Sequence, residues 1–164
     1  MKTNYKKNKL QILTFLILGA IPLFVDSYYL DNISYFMCWT FISLGLAVIW
    51  GMGGILSFGQ TAFFGLAGYG FSVISINFLG VAGVSLWSIL LALMLTGVFG
   101  LIVGYFLFYG GIYDVFIGIV TLAITLVLET FMQQTAGPEY TIGSARLNGF
   151  NGMQGMPTIG FENI

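Results

Sequence analysis

A long stretch without charged residues most constrains how this chain can fold. Residues 32–113 contain no Asp, Glu, Lys or Arg, and the chain of 164 residues is 58% hydrophobic and 7% charged. A soluble domain carries roughly 25% charged residues. The uncharged stretch is long enough for about three or four membrane crossings of roughly 20 residues each. The sequence therefore predicts an integral membrane protein of the all-α class, a polytopic transmembrane helix bundle.

The basic residues are unevenly distributed along the chain. Four lysines precede the first apolar run, and Arg146 is the only other basic residue. By the positive-inside rule, this asymmetry places the N-terminus in the cytoplasm. We therefore expect residues 1–9 to form a cytoplasmic basic tail, residues 10–133 a transmembrane domain, and the glycine-rich residues 134–164 an external loop. The protein would lie in the cytoplasmic membrane, in contact with its lipid.

About five apolar segments make up the transmembrane domain, and they cover residues 10–25, 33–52, 61–78, 85–109 and 115–133. A basic start followed by an apolar run is also typical of a secretory signal. A small-residue cleavage pattern is missing and more apolar segments follow, so an uncleaved first helix is favoured. The G-x-x-x-G spacing of Gly100 and Gly104 indicates close helix packing, favoured here within the subunit over a dimer interface.

Glycines interrupt the apolar pattern near residues 51–61. Glycine is unfavourable in a helix and allows non-helical backbone, so the cluster predicts an interrupted membrane helix. Non-helical backbone at membrane depth is tolerated only where protein or a water-filled cavity covers it, and such a break indicates a transport pathway. The glycines assigned to the break and its packing are Gly51, Gly53, Gly54, Gly59, Gly65 and Gly68.

Polar side chains follow the glycines closely. Ser57, Gln60 and Thr61 could hydrogen-bond a polar solute, and together with Phe64 they are the candidate translocation residues. The alternative is hydrogen bonding between helices, worth roughly 0.6 kcal/mol for each pair. That alternative is favoured for any single residue, whereas the cluster as a whole favours a pathway.

Glu129 is the one acidic residue inside an apolar segment. An ionisable residue at membrane depth is a functional hypothesis by default. Its position about one turn from the outer end of the segment favours solvation at the interface, or a contact with Gln133.

Several kinds of chemistry are excluded by what the chain lacks. It has no histidine and a single cysteine, Cys38. These absences remove Cys/His nucleophile pairs, imidazole acid–base catalysis and zinc sites. Neither of the glycine-rich phosphate-binding motifs is present. We therefore expect no catalytic residues, no metal, no cofactor and no nucleic-acid partner.

Three patches in order along the chain carry a family resemblance. They are residues 45–69 (GLAVIWGMGGILSFGQTAFFGLAGY), 115–123 (VFIGIVTLA) and 149–157 (GFNGMQGMP). The first resembles a glycine-rich pattern with S-x-G-x-x-A-F-F-G, the second V-Y-F-A-I-V-T-L-A, and the third N-G-x-x-G-I-P. All three patterns belong to the permease subunits of branched-chain amino acid ABC importers and their relatives that carry urea and short-chain amides.

The resemblance implies an α-helical permease that is not itself an enzyme. It also implies a second permease subunit, two cytoplasmic ATPase subunits that hydrolyse ATP, and an external solute-binding protein. The family is about twice as long as this chain, and its later basic loop docks on the ATPase. We therefore expect the chain to correspond to the N-terminal half of such a permease, with residues 10–133 a partial permease domain. The alternative is a free-standing small membrane channel or scaffold.

Overall fold

A computed structural model describes the backbone of residues 2–157 and the side chains from residue 9 onward, except that of residue 10. These described residues form five α-helices and one short hairpin. The elements are α1 (Lys2–Ala20), α2 (Ser27–Gly53), α3 (Gln60–Asn77), α4 (Val84–Tyr109), α5 (Val115–Gln133), β1 (Thr141–Ile142) and β2 (Ala145–Arg146). The predicted all-α bundle with about five segments is confirmed. Residues 158–164 of the predicted external loop lie outside the described residues.

Length and composition separate the helices into two groups. Within the described residues, α2, α4 and α5 are long and apolar enough to cross a membrane, whereas the shorter apolar run Gln11–Leu23 covers the end of α1 and the three residues after it. α3 falls outside the first group because Gln60, Asn77 and its serines and glycines lower its hydropathy. The helix break after α2 is therefore followed by α3, which is the most polar of α3, α4 and α5.

The chain forms two compact units, Met1–Ser43 and Leu44–Ile164. The first unit contains α1 and a 3₁₀ turn over Ile21–Leu23. Because α1 begins at Lys2, it includes the four N-terminal lysines. Pro22 lies in that turn, where its missing N–H and fixed φ end the α-helix. The second unit contains the helix break, α3 to α5 and the loop that follows α5.

α3 and α4 pack closely along a seam of small residues. A Cβ at Gly70 would lie 3.4 Å from the Cβ of Ala92, and the Phe63 ring lies 5.7 Å from that of Phe99. Residues further along α3 thus meet residues earlier in α4, so the two helices are antiparallel. Small residues allow this approach where lipid provides no hydrophobic drive between helices.

α3 and α5 run in the same direction. A Cβ at Gly59, just before α3, would contact Thr121. Further along, Tyr69 of α3 and Met132 of α5 both pack against the same buried cluster of the loop after α5. The break therefore lies beside the middle of α5, and the C-terminal ends of both helices meet the loop.

Candidate translocation site

The helix break predicted near residues 51–61 is present between α2 and α3. Gly54 ends α2 with a φ of 67°, and its N–H donates to the carbonyl of Trp50 at 3.0 Å. Glycine adopts this left-handed conformation without the steric cost that a Cβ brings. Helical backbone resumes at Gln60, so residues 54–59 form the non-helical segment.

Hydroxyl groups of α5 pair with the peptide groups of Phe58 in the break. The N–H of Phe58 donates to the Oγ1 of Thr121 at 3.1 Å, and the Oγ1 of Thr125 donates to the carbonyl of Phe58 at 3.2 Å. Both threonines lie near the middle of α5, whose 19 residues make it about 28 Å long. The break thus contacts the middle part of a helix that can span a membrane, where a non-helical peptide group needs a partner from the protein or from a water-filled cavity.

Two glycines let the break approach α5. A Cβ at Gly59 would lie 3.1 Å from the Cβ of Thr121, and a Cβ at Gly118 would lie 3.1 Å from the carbonyl oxygen of Leu56. Both glycines are buried. Any side chain at either position would separate the break from α5 and stretch the hydrogen bonds of Phe58.

A groove of about 410 Å³ begins beside the break and runs between α3 and α5 to the loop. Thr61 and Thr125 line its end at the break, while Gln133 and Phe150 line its end at the loop. The remaining lining residues are Ala62, Gly65, Leu66, Tyr69, Leu128, Glu129, Met132 and Gly149. The groove therefore combines an apolar wall with several polar groups and one carboxyl group, Glu129.

The loop after α5 is folded and anchored over the end of the groove. The Nδ2 of Asn77 donates to the carbonyl of Ile142 at 2.8 Å, and its Oδ1 accepts from the N–H of Ser144 at 2.8 Å. Gly149 packs so closely on Ala136 that a Cβ would lie 2.7 Å from the Ala136 Cα. These contacts hold the loop on the C-terminal ends of α3 and α5, next to Phe150.

The four candidate translocation residues have different surroundings. Thr61 lines the groove. The Oγ of Ser57 accepts from the N–H of Gly59 at 3.3 Å, within the break itself. The side-chain oxygen of Gln60 lies against α2, 2.8 Å from where a Cβ at Gly45 would stand. Phe64 is 53% exposed and is not part of the groove lining.

The six glycines assigned to the break also differ. Gly54 and Gly59 shape the break as described above, and a Cβ at Gly53 would meet only the Ile55 side chain, at 3.9 Å. A Cβ at Gly51, Gly65 or Gly68 would meet nothing within 4 Å. Since Gly65 lines the groove, its missing side chain widens the space there.

Sequence reasoning missed the threonines of α5 that hold the break. Thr121 and Gly118 both lie in the second family patch, residues 115–123. The recurrence of this patch in one family was the available signal, because a threonine within an apolar helix otherwise suggests only a bond to its own backbone. Thr121 does make that bond, donating to the carbonyl of Ile117 at 2.8 Å.

Long apolar helices, a helix break hydrogen-bonded to α5 and a groove beside it are typical of a multi-pass membrane protein of the transporter class. A family model described as "Branched-chain amino acid transport system / permease component" matches residues 28–154. The chain belongs to this ABC-type permease family, which is a transport component and not a catalytic one. Neither a curated protein nor a solved structure matches the chain at a significant level.

Proposed function

We propose that this chain is a permease subunit of an ABC importer that translocates branched-chain amino acids across the cytoplasmic membrane. One observation carries the proposal beyond family membership: the groove reaches from the loop to the helix break, beside the middle of α5. Such a groove provides a path over about half of a spanning helix, and broken helices mark substrate sites in transporters.

The proposal assigns the pathway to the break and the groove. Ser57, Gln60, Thr61 and Phe64 are its proposed translocation residues. Thr61 would contact the solute in the groove, where it is already exposed. Ser57 and Gln60 would shape the break, since their side chains lie against Gly59 and Gly45. Phe64 would face a partner subunit or lipid, because more than half of its surface is exposed.

The proposed partners follow from the family's ABC-type transport systems. They are a second permease subunit, two cytoplasmic ATPase subunits and an external solute-binding protein. The N-terminus would be cytoplasmic and the loop after α5 external, where it could receive solute beside the groove. ATP hydrolysis would take place in the ATPase subunits.

Measurements of leucine uptake in the cell that makes the protein test this proposal. We expect deletion of the gene to abolish uptake of radiolabelled leucine at low external concentration, and a plasmid copy to restore it. Depletion of ATP with the proton gradient intact should have the same effect as deletion. Unchanged leucine uptake in the deletion strain would overturn the proposal.

Two further measurements separate the alternatives. Loss of urea or acetamide uptake instead of leucine uptake would assign the permease to amides. Liposomes that contain this chain alone should show no saturable leucine flux. Saturable flux without an ATPase would identify a free-standing channel.

A further inference from the structure

The groove between α3 and α5 contains one charged side chain, Glu129. We infer that Glu129 binds the ammonium group of an amphipathic solute whose aliphatic body lies in the groove. The inference rests on the proposed transport function and adds the chemical group that the site recognises.

The carboxyl group of Glu129 has few partners of its own. Its Oε1 accepts from the Nε2 of Gln133 at 3.0 Å. A carboxylate offers about four acceptor positions, so most remain open. Arg146, the basic residue of the loop, directs its Nη2 to the carbonyl of Ala136 at 3.3 Å. The site therefore has unused acceptor capacity for a cationic donor.

Glu129 lies about one turn from the C-terminal end of α5 and is exposed where it lines the groove. It lies in α5, a helix apolar enough to cross a membrane. Ionisable side chains in such helices are rare because desolvation opposes them, and they face water-filled cavities or partners. A hydrogen bond between an ammonium group and a carboxylate is about twice as strong as one between neutral groups. A solute ammonium group would thus serve as a counter-ion for Glu129.

The walls of the groove fit the rest of such a solute. Leu66, Leu128, Met132 and Phe150 provide apolar surface on both sides. Thr61 and Tyr69 also line the groove, and their hydroxyl groups are of the kind that donates to the oxygens of a solute carboxyl group. The volume of about 410 Å³ falls in the range of small-molecule sites. An aliphatic amino acid combines all three features.

Binding to the full chain in nanodiscs of zwitterionic lipid tests the inference without any mutation. The probes are isopentylammonium and its neutral counterpart isopentanol, measured by saturation-transfer NMR with empty nanodiscs as the blank. We expect the ammonium probe to bind at least about tenfold more tightly, the factor that one additional charge-assisted hydrogen bond provides. Equal affinity of the two probes would overturn the inference.

Variants then locate the site. Glu129→Gln should remove the preference for the ammonium probe, while Glu129→Asp should retain it in part. Gly65→Leu should weaken both probes, because its side chain would enter the groove without a clash. Gly97→Leu is the matched control, since a Cβ there also meets nothing within 4 Å but lies outside the groove. An undiminished preference in Glu129→Gln would show that Glu129 is merely solvated.

Uptake in cells separates this inference from the proposed function. Glu129→Gln in the chromosomal gene should lower leucine uptake at least about tenfold, by the same loss of a charge-assisted hydrogen bond. If gene deletion abolishes uptake but Glu129→Gln leaves it unchanged, the inference alone fails. If gene deletion leaves uptake unchanged, the proposed function fails, and the nanodisc measurements still decide whether the groove binds ammonium groups.

Discussion

Gly59 determines how closely the break approaches α5. Its missing side chain leaves Thr121 as a direct neighbour, with only 3.1 Å available for a Cβ. Contacts of a Cβ atom are seldom so short, and the Cβ of Thr121 cannot move aside as the free end of a flexible side chain could. Even one methyl group at this position would therefore require the break or α5 to move.

Gly59→Leu should abolish transport while leaving membrane insertion intact. The branched side chain would push the break away from α5, whereas the apolar spans that drive insertion would remain unchanged. Leucine uptake measures the loss, and the amount of protein in washed membranes measures insertion. Gly97→Leu, on an open face of α4, is the control and should transport normally. Normal uptake by Gly59→Leu would remove the break from the pathway.

At the scale of elements, α5 is the helix that stabilises the break. Its threonines form both hydrogen bonds to the peptide groups of Phe58. The missing side chain of its Gly118 leaves room for the carbonyl oxygen of Leu56. The contact joins two of the sequence patches that carry the family resemblance. The third patch lies in the loop, where Gly149 and Phe150 line the outer end of the groove. The three patches thus form one site.

Thr121→Val should destabilise the second unit by about 0.5–1.5 kcal/mol, the net value of one hydrogen bond, because the partly buried N–H of Phe58 loses its partner. Valine has nearly the shape of threonine, so the packing on Gly59 is retained. The melting temperature in detergent measures the effect. Thr121→Ser should restore most of the stability, since it keeps the hydroxyl group. Thr130→Val is the control, as Thr130 is exposed and bonds only the carbonyl of Leu126 in its own helix.

The local elements could be predicted from the sequence, and the groove could not. Charge-free runs and glycines are local features, so the bounds of α3, α4 and α5 agree with the predicted segments to within one residue. In contrast, α1 begins at residue 2 instead of 10 and α2 at residue 27 instead of 33, because both helices continue into polar sequence that the apolar pattern does not mark. The groove depends on which helices are neighbours. Nothing local to Tyr69 or Thr125 indicates that α3 lies beside α5, because both residues also suit a simple membrane helix. Glu129 was singled out by its charge, but its place in a groove required the packing of α3 on α5.

At the scale of the whole molecule, the directions of the helices determine which side of the membrane has access to the groove. α3 and α5 run together and α4 runs against them, so the loop after α5 and the α4–α5 turn lie at opposite ends of α5. The groove runs from the break toward the loop end. If the N-terminus is cytoplasmic, the groove faces the outside, which is the side from which an importer receives its solute.

Cysteine labelling in intact cells tests this orientation. In a Cys38→Ser background, a cysteine replaces Glu139 in the loop or Tyr113 in the turn before α5, both of which are exposed. A membrane-impermeant maleimide should label Glu139→Cys directly, and Tyr113→Cys only after permeabilisation, because α5 separates the two positions. The reverse result would place the N-terminus outside and make the groove face the cytoplasm, which would contradict import through it. Labelling of both positions in intact cells would show that α5 does not cross the membrane, and the break would then lose its place at membrane depth.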